Sequence, residues 1–407
     1  MIYDLRRLFF FILVTNLIII SNIFAADRAD ASDVSGTSPA ERIESRSFPS
    51  IFQAWNQAEN LNSGPSEIVE LSTMEKPEAS MARHDLAFVG WETMGLKSAG
   101  SYKGLALDFN QKSIQKALAK RNRLLSLNPH MVLLASVQYH SAWDGYFPDD
   151  SPWWKRDGQG SRVPASTTNN GKVFLLDPSN PDFQQQVAQQ CEALVKTGVF
   201  DGCMFDWWSH ETSDRVELIQ KVRAAVGDDA VLIVNANGTV PKESAPYING
   251  IFMEGYPSTF KGTWQTAIKN LTWGTAHFHT PAILAFEGWY QNSRNDYALM
   301  RQVTTLGLVF SNGYVLFGDP NLAGRHGHLH DIYPFWDKKL GRASGPMGQN
   351  GPSGSFIREY DKGTALFNPP TNQPIQIHFN NARTSVSTGN QGQDFQVDSG
   401  DGDIFLN

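Results

Sequence analysis

Two acidic residues follow apolar segments of this chain in a pattern that suits acid–base chemistry. Asp206 and Glu254 lie at the ends of the runs GCMFDW (residues 202–207) and GIFME (residues 250–254). Acidic residues are depleted in strands, so a carboxylate that ends an apolar run requires an explanation. Cleavage of a glycosidic bond requires two carboxyl groups that face each other across the bond, one ionised and one protonated. Asp206 and Glu254 are therefore the candidate catalytic pair.

The surroundings of the two carboxylates are rich in aromatic and apolar residues. Trp207 and Trp208 follow Asp206 directly, and Phe252 precedes Glu254 by two positions. A low-dielectric environment moves the pKa values of neighbouring carboxyl groups apart, which suits one acid and one base. The chain has eleven tryptophans and is 12% aromatic. Indole rings stack on sugar faces but also fill large cores, so this composition alone decides nothing.

The elements that must position these residues are eight short apolar runs, most of them separated by a helical pattern. Nearly continuous apolar runs are typical of parallel strands that are covered on both faces. The chain contains neither a GxGxxG motif nor a P-loop, which favours a closed (β/α)8 TIM barrel, an α/β fold, over an open doubly wound sheet. The predicted strands are residues 50–55, 85–91, 131–139, 202–207, 230–235, 250–254, 281–287 and 314–318, and the predicted helices are 110–127, 180–196, 212–226 and 295–308.

The carboxyl ends of barrel strands carry the working residues of enzymes with this fold. Such side chains can also cap helices, form ion pairs or cover the barrel edge, and Asp319-Pro320 looks like a simple turn. Asn235 and Asn237 lie on the strand between the two carboxylates and are predicted to bind the hydroxyl next to the reacting carbon. The candidate substrate-binding residues are Trp55, Trp91, His140, Asp144, Trp207, Trp208, Asn235, Asn237, Tyr256, Glu287 and His328.

Three histidines alternate in the segment HGHLH after the eighth predicted strand: His326, His328 and His330. Alternate residues of an extended segment point to the same side, and three histidines can hold zinc. The same loop would also lie over the barrel mouth, where histidines can contact sugar hydroxyls. We expect substrate contact or loop packing, and a metal site is the alternative.

Several motifs resemble a known family of barrel proteins. The chain resembles hypothetical glycosyl hydrolase family 15 over about residues 48–370, and it is more distantly similar to the α-galactosidase-like barrels of clan D. The resemblance implies a retaining mechanism with Asp206 as nucleophile and Glu254 as acid/base. The better-studied members of clan D have aspartate at the second position, so the carboxyl separation, and with it retention or inversion, stays open. The matching pieces are FPSIFQAW, ARHDL, LLDPSNP, FDGCMFDWW, LIVNANG, GIFMEGY and LFNPP.

The two ends of the chain differ in residue pattern from the predicted barrel. Residues 1–26 contain two arginines, an apolar run and a small-residue end, as in a secretory signal peptide, and the apolar run is shorter than the roughly 20 residues of a membrane span. We expect export to a periplasm or the extracellular space. Residues 27–46 are polar and predict a disordered linker. Residues 47–340 form the predicted catalytic barrel, and residues 341–407 alternate as in a small antiparallel β module.

Charge and cysteine content exclude several other classes. The net charge is −7 and basic tracts are absent from the sequence, which argues against nucleic acid as a partner. Cys191 and Cys203 are too few for a disulfide scaffold, and whether they pair is left open. No G-x-S-x-G motif is present, which argues against a serine hydrolase.

The sequence therefore predicts an exported glycoside hydrolase that acts on a polysaccharide or oligosaccharide, needs no cofactor and has no membrane contact after signal cleavage. One alternative is a barrel that binds carbohydrate without cleaving it. The other is a metal-assisted carbohydrate hydrolase or deacetylase that uses the HGHLH loop. The identity and anomer of the sugar, endo or exo action and the oligomeric state are not encoded in any motif of the chain.

Overall fold

A computed structural model describes most of the chain from Thr37 onward. The described residues are 37–55, 77–165, 172–255, 257, 263–291, 293, 295–318, 328 and 330–407. The predicted signal peptide, the first part of the predicted linker, Tyr256, Asp319 and His326 lie outside these residues.

Eight parallel strands form the barrel, in the order in which they occur along the chain. The eighth strand returns to the first: Ile51 and Val315 form a parallel bridge, and the Val315 amide donates to the Ser50 carbonyl at 2.9 Å. The predicted (β/α)8 fold and all eight predicted strands are confirmed. The strands are Phe52–Ala54, Leu86–Val89, Val132–Val137, Gly202–Phe205, Val231–Asn235, Gly250–Met253, Ile283–Trp289 and Tyr314–Gly318.

Helices cover the outside of the barrel, and the four predicted ones are confirmed. The side chain of Asn110 caps the third helix by accepting from the Ser113 amide, and Asn180 caps the fourth by accepting from the Asp182 amide. The helices are Pro39–Ser45, Pro77–Met81, Gln111–Leu127, Pro181–Lys196, Ser213–Val226, Trp264–His277 and Tyr297–Phe310, with short 3-10 turns at Trp91–Met94, Lys103–Leu105, Ala245–Tyr247, Pro334–Asp337 and Pro352–Gly354.

The helix Trp264–His277 was not predicted because its sequence is poor in strong helix formers. Tertiary packing stabilises it instead. Ala267, Leu271 and Gly274 are buried, and a side chain at Gly274 would lie 2.6 Å from both Leu284 and Phe278. The missing side chain therefore lets this helix approach the seventh barrel strand closely.

Six antiparallel strands form the predicted C-terminal sheet. This sheet packs on the last barrel helix: the Phe310 and Phe356 rings are 5.0 Å apart, and Arg301 pairs with Asp401 at 2.6 Å. A two-stranded hairpin, Ser141–Trp143 with Val173–Leu175, follows the third barrel strand. The strands of the C-terminal sheet are Gln349–Asn350, Phe356–Tyr360, Gly363–Asn368, Ile375–Ser385, Gln391–Val397 and Asp401–Leu406.

The prediction of a disordered linker over residues 27–46 is wrong where the structure describes that range. Pro39–Ser45 is a helix with a capping box, in which Ser38 and Glu41 satisfy each other's backbone amides. Arg42 of this helix is buried and pairs with Asp201.

Cys191 and Cys203 are both buried free thiols. None of the helices in the described residues is long and apolar enough to span a bilayer.

Asp201 closes the amino-terminal end of the barrel. It lies just before the fourth strand, and its side chain is only 5% exposed. The carboxylate accepts from Arg42, from Arg121 at 2.6 and 3.2 Å and from the Leu133 amide at 2.9 Å. One buried anion therefore joins the first helix, the helix Gln111–Leu127 and the third strand.

Asp201→Asn is predicted to destabilise the protein by about 3 kcal/mol, because two buried arginines lose their counter-charge. The measurement is the free energy of unfolding in urea. Asp229→Asn is the matched control, since Asp229 is exposed, and it is expected to change stability by less than about 0.5 kcal/mol. Equal effects of the two substitutions would contradict the role given to Asp201.

Candidate active site

The candidate site lies at the carboxyl ends of three adjacent strands. Asp206 follows the fourth strand, Asn235 ends the fifth, and Glu254 follows the sixth. After Glu254 the chain turns at Gly255, whose φ of 66° favours glycine, and a side chain there would lie 3.0 Å from the Trp289 ring. The parallel register thus brings the two predicted carboxylates together at the carboxyl-terminal mouth of the barrel.

A single amide group joins the two carboxylates. Asn235 Nδ2 donates to Asp206 Oδ1 at 2.8 Å and to Glu254 Oε2 at 2.7 Å. Its Oδ1 accepts from the Asn237 amide at 3.1 Å, which fixes the orientation of the side-chain amide. The two N–H bonds of the planar amide group offer one donor to each carboxylate. Asn235 is 1% exposed, and therefore holds both carboxylates from inside the barrel.

The pKa of Asp206 is raised above its ordinary value, mainly by burial and then by the neighbouring Glu254 carboxylate. The Asn235 and Trp207 donors oppose this shift. Trp207 contributes its backbone amide, 2.8 Å from Asp206 Oδ1. Like charges at short range disfavour double ionisation, so the pair is suited to holding one proton.

Glu254 is partly exposed and lies beside a histidine. Its side chain is 22% exposed, and its Oε1 lies 3.6 Å from His328 Nε2. The other imidazole nitrogen, Nδ1, lies 3.0 Å from Glu287 Oε2. The four groups Asp206, Glu254, His328 and Glu287 therefore form one continuous polar cluster across the barrel mouth.

Three predicted substrate contacts have buried side chains. Glu287 is 0% exposed and points into the barrel, where it binds His328. Trp208 is also 0% exposed, and its indole donates to Ser244 Oγ at 3.2 Å. Trp91 is 6% exposed and packs on Phe109. Their contact with a substrate stays a prediction.

Strained backbone conformations cluster at the mouth. Trp55, Trp207 and Asn237 follow the first, fourth and fifth strands, and each has a left-handed φ, of 46°, 60° and 51°. Non-glycine residues adopt this region at a cost that the surrounding structure must offset. At Trp207 the strain lets the backbone amide face Asp206 while the indole is 58% exposed.

The remaining predicted contacts have different surroundings. His140 packs against Trp207, with ring centroids 5.3 Å apart, and burial lowers its pKa to about 4. The Trp55 indole donates to Ser136 Oγ at 3.0 Å and is partly buried beside the His328 ring. Asp144 is exposed on the hairpin and pairs with Arg162 at 2.9 Å. Trp55, His140 and Trp207 thus line the mouth, whereas the Asp144 carboxylate is engaged by an arginine.

The histidines after the eighth strand are engaged by protein groups. His330 Nε2 lies 2.9 Å from His84 Nε2, and His330 Nδ1 lies 3.0 Å from the His328 carbonyl. Burial lowers the pKa of His330 to about 3 and that of His84 to about 4. Over the ranges that the structure describes, no group of three or more histidine, cysteine or acidic side chains is arranged to hold a metal ion.

Comparisons with known proteins identify the fold. No protein-family model matches the chain, and no curated protein matches it. An α-amylase from Malbranchea cinnamomea has a TM-score of 0.52 at 10% identity, covering 91% of this chain and 97% of its own. A maltogenic α-amylase from Thermotoga neapolitana has a TM-score of 0.50 at 11% identity, covering 88% and 99%.

The α-amylase from Geobacillus thermoleovorans, solved with acarbose, also has a TM-score of 0.50 at 11% identity, covering 89% of this chain and 98% of its own. Identities this low show a shared fold alone. The chain therefore has the (β/α)8 barrel fold of known glycoside hydrolases. These structures do not support the narrower resemblance to hypothetical glycosyl hydrolase family 15 or to clan D.

Asp206→Asn is predicted to raise the free energy of unfolding at pH 7 by about 1 kcal/mol. Because the folded-state pKa of Asp206 is raised, its ionisation reduces stability as pH rises through that value, and a neutral amide avoids this loss. The gain should vanish below pH 3.8, the ordinary pKa, where Asp206 is protonated in both states.

Urea unfolding of both proteins between pH 3 and pH 8 measures this difference, with Asp229→Asn as the exposed control. A variant that is less stable than the native protein at pH 7 would contradict the inferred electrostatic strain at Asp206.

Proposed function

We propose that this protein is an exported glycoside hydrolase that cleaves a polysaccharide or oligosaccharide with Asp206 and Glu254. The observation that carries the proposal is the Asn235 amide, which donates to both carboxylates at 2.8 and 2.7 Å. Structural ion pairs place opposite charges together. A pair of like charges at the mouth of a barrel is costly, and it is characteristic of sites that transfer protons.

The short separation of the carboxylates supports a retaining mechanism. Retaining glycosidases have carboxyl groups about 5–5.5 Å apart, whereas inverting enzymes need about 6.5–9.5 Å to admit a water molecule. The Asp206 and Glu254 oxygens that share Asn235 Nδ2 cannot be farther apart than the two hydrogen bonds end to end, about 5.5 Å. This upper limit for the two bound oxygens falls in the range of retaining enzymes, and it supports direct attack by Asp206.

In the first step, an Asp206 oxygen attacks the anomeric carbon and the bond from that carbon to the leaving-group oxygen breaks. Glu254 gives its proton to that oxygen, so the leaving group departs as a neutral alcohol. The negative charge of the pair moves from Asp206, now esterified, to Glu254. The Asn235 amide remains hydrogen-bonded to both groups, so this shift requires no rearrangement of the amide.

In the second step, a water molecule attacks the anomeric carbon and the bond to Asp206 breaks. Glu254 accepts the proton of the water, which restores the starting charges. The product keeps the anomeric configuration of the substrate because the carbon is inverted twice.

The aromatic residues at the mouth support a saccharide as substrate. The exposed Trp207 indole lies directly beside Asp206, and the face of a pyranose stacks on such a ring. Three α-amylases share the barrel fold, and one of them was solved with acarbose. The residues of the amino-terminal segment 1–26 support export.

The native protein, Asp206→Asn and Glu254→Gln are to be tested on a panel of polysaccharides and aryl glycosides. We expect new reducing ends from the native protein and a loss of about 10³-fold in kcat/KM in both variants. Sodium azide should rescue the two variants differently. With Asp206→Asn it should give a glycosyl azide of inverted configuration, and with Glu254→Gln one of retained configuration.

Undiminished cleavage by both variants would contradict the site assignment. Binding of one saccharide by the native protein without any cleavage would favour the carbohydrate-binding alternative. Loss of cleavage with a chelator, restored by zinc, would favour the metal-assisted alternative.

Trp207→Ala is predicted to raise KM about fivefold, because a sugar loses its stacking partner. Steady-state kinetics on the substrate found by the panel measure this change. Trp273→Ala is the matched control: Trp273 lies on the outer helix Trp264–His277 and stacks on His277, so KM should stay unchanged. An unchanged KM in Trp207→Ala would remove this ring from the substrate site.

A further inference from the structure

Behind Glu254, on the side away from Asp206, lies a buried carboxylate–histidine couple. Glu287 is 0% exposed and belongs to the seventh strand, Ile283–Trp289. Its Oε2 lies 3.0 Å from His328 Nδ1, and His328 Nε2 lies 3.6 Å from Glu254 Oε1. The imidazole is thus placed between a carboxylate that cannot reach substrate and one that can.

The surroundings of His328 favour its charged form. Burial alone would lower the pKa of His328, but the carboxylates of Glu287, Glu254 and Asp206 together outweigh this effect and raise it. The nearby His330 has a lowered pKa, mainly through burial, and therefore adds no competing cation. Burial raises the pKa of Glu287, and the positive charge and hydrogen bond of His328 oppose this rise and favour the ionised carboxylate.

Aromatic rings fix the position of the imidazole. The centroids of Trp55, Trp289 and Phe252 lie 5.0, 5.4 and 5.7 Å from that of His328. His328 is 7% exposed, so water has little access to the couple. Electrostatic interactions are stronger in such an environment than in bulk water.

We propose that Glu287 and His328 form a positioning couple that stabilises negative charge on Glu254 during catalysis. The inference rests on the proposed function, in which the charge of the pair moves from Asp206 to Glu254 in the first step. The imidazolium directly faces Glu254, whereas Asp206 is hydrogen-bonded to the Asn235 side chain and to the Trp207 backbone amide. His328 therefore stabilises the negative charge that develops on Glu254 as its proton passes to the leaving group, and Glu287 keeps His328 charged and oriented.

Glu287 and His328 are not catalytic residues in this account, since neither needs to touch the substrate. The consequence is a dependence on the leaving group. Departure of a poor leaving group requires proton transfer from Glu254, whereas an activated aryl group departs without it. Loss of the imidazolium should therefore slow cleavage only where acid catalysis is needed.

Kinetics of His328→Gln test this dependence on alkyl glycosides and on 2,4-dinitrophenyl glycosides of the same sugar. We expect kcat to fall about tenfold or more on the alkyl substrate and less than about threefold on the activated one, with little change in KM. In Glu287→Gln the glutamine oxygen can still accept from Nδ1, but the charge is lost. The loss of kcat on the alkyl substrate should then appear although the imidazole itself is kept, because His328 loses its proton more readily.

A second measurement is independent of activity. NMR of protein labelled at its ten histidines reports the charge of each imidazole, and the His328→Gln spectrum assigns the signal. We expect His328 to be an imidazolium at pH 7 in the native protein and to titrate at lower pH in Glu287→Gln. If His328→Gln does not fold, His328→Asn provides the assignment. Asp394→Asn is the matched control, because Asp394 pairs with His378 Nδ1 on the exposed C-terminal sheet at 2.8 Å.

The outcomes separate this inference from the proposed function. A neutral His328 at pH 7, or an equal loss of kcat on both leaving groups, would overturn the couple while leaving the Asp206–Glu254 chemistry intact. Absence of any glycoside cleavage by the native protein would overturn the proposed function and the catalytic role of the couple, even if NMR shows the imidazolium. A loss of kcat on the alkyl substrate alone in His328→Gln, together with titration of His328 at lower pH in Glu287→Gln, would support both.

Discussion

The structure of the barrel mouth depends on one constraint: two carboxylates are held within reach of a single amide nitrogen. Asp206 and Glu254 repel each other when both are ionised, and burial adds to the cost for Asp206. Asn235 offsets part of this cost with two hydrogen bonds and is itself held by the Asn237 amide. His328 supplies the positive charge on the far side of Glu254. The hydrogen bonds and the opposite charge around the pair thus offset the repulsion between its members.

The two ends of the barrel therefore have opposite electrostatic designs. At the amino-terminal end, Asp201 is matched by two arginines and a backbone amide, which joins separate elements of the fold. At the carboxyl-terminal end, three carboxylates face one histidine, and three residues adopt a left-handed backbone conformation. A fold whose working end is destabilised in this way requires stabilisation elsewhere. The Asp201 cluster and the packing of the C-terminal sheet on the last barrel helix provide it.

Much of this architecture could be predicted from the sequence because buried parallel strands are encoded as local apolar runs. The same runs placed Asp206, Asn235 and Glu254 at strand ends, and the register of the barrel brings them together. Side chains alternate between the two faces of a strand, and a run that is apolar at every position does not indicate which face a residue near the strand end occupies. Glu287 lies inside the seventh strand as it forms in the structure, two residues before its end, and its buried side chain contacts His328. The pairing of Glu287 with His328 spans 41 residues and has no local signature. The mostly polar composition of the first helix gives no apolar pattern that predicts it, although its capping residues Ser38 and Glu41 can be read from the sequence.

The anomeric configuration of the first-formed product is the measurement that tests the central claim most directly. Proton NMR during the first minutes of cleavage, before mutarotation, distinguishes the two anomers of the released sugar. Carboxylates bridged by one amide predict that the product keeps the configuration of the substrate. An inverted product would contradict the account, because inversion requires carboxyl groups about 6.5–9.5 Å apart, farther than the two Asn235 hydrogen bonds allow for the oxygens that they bind.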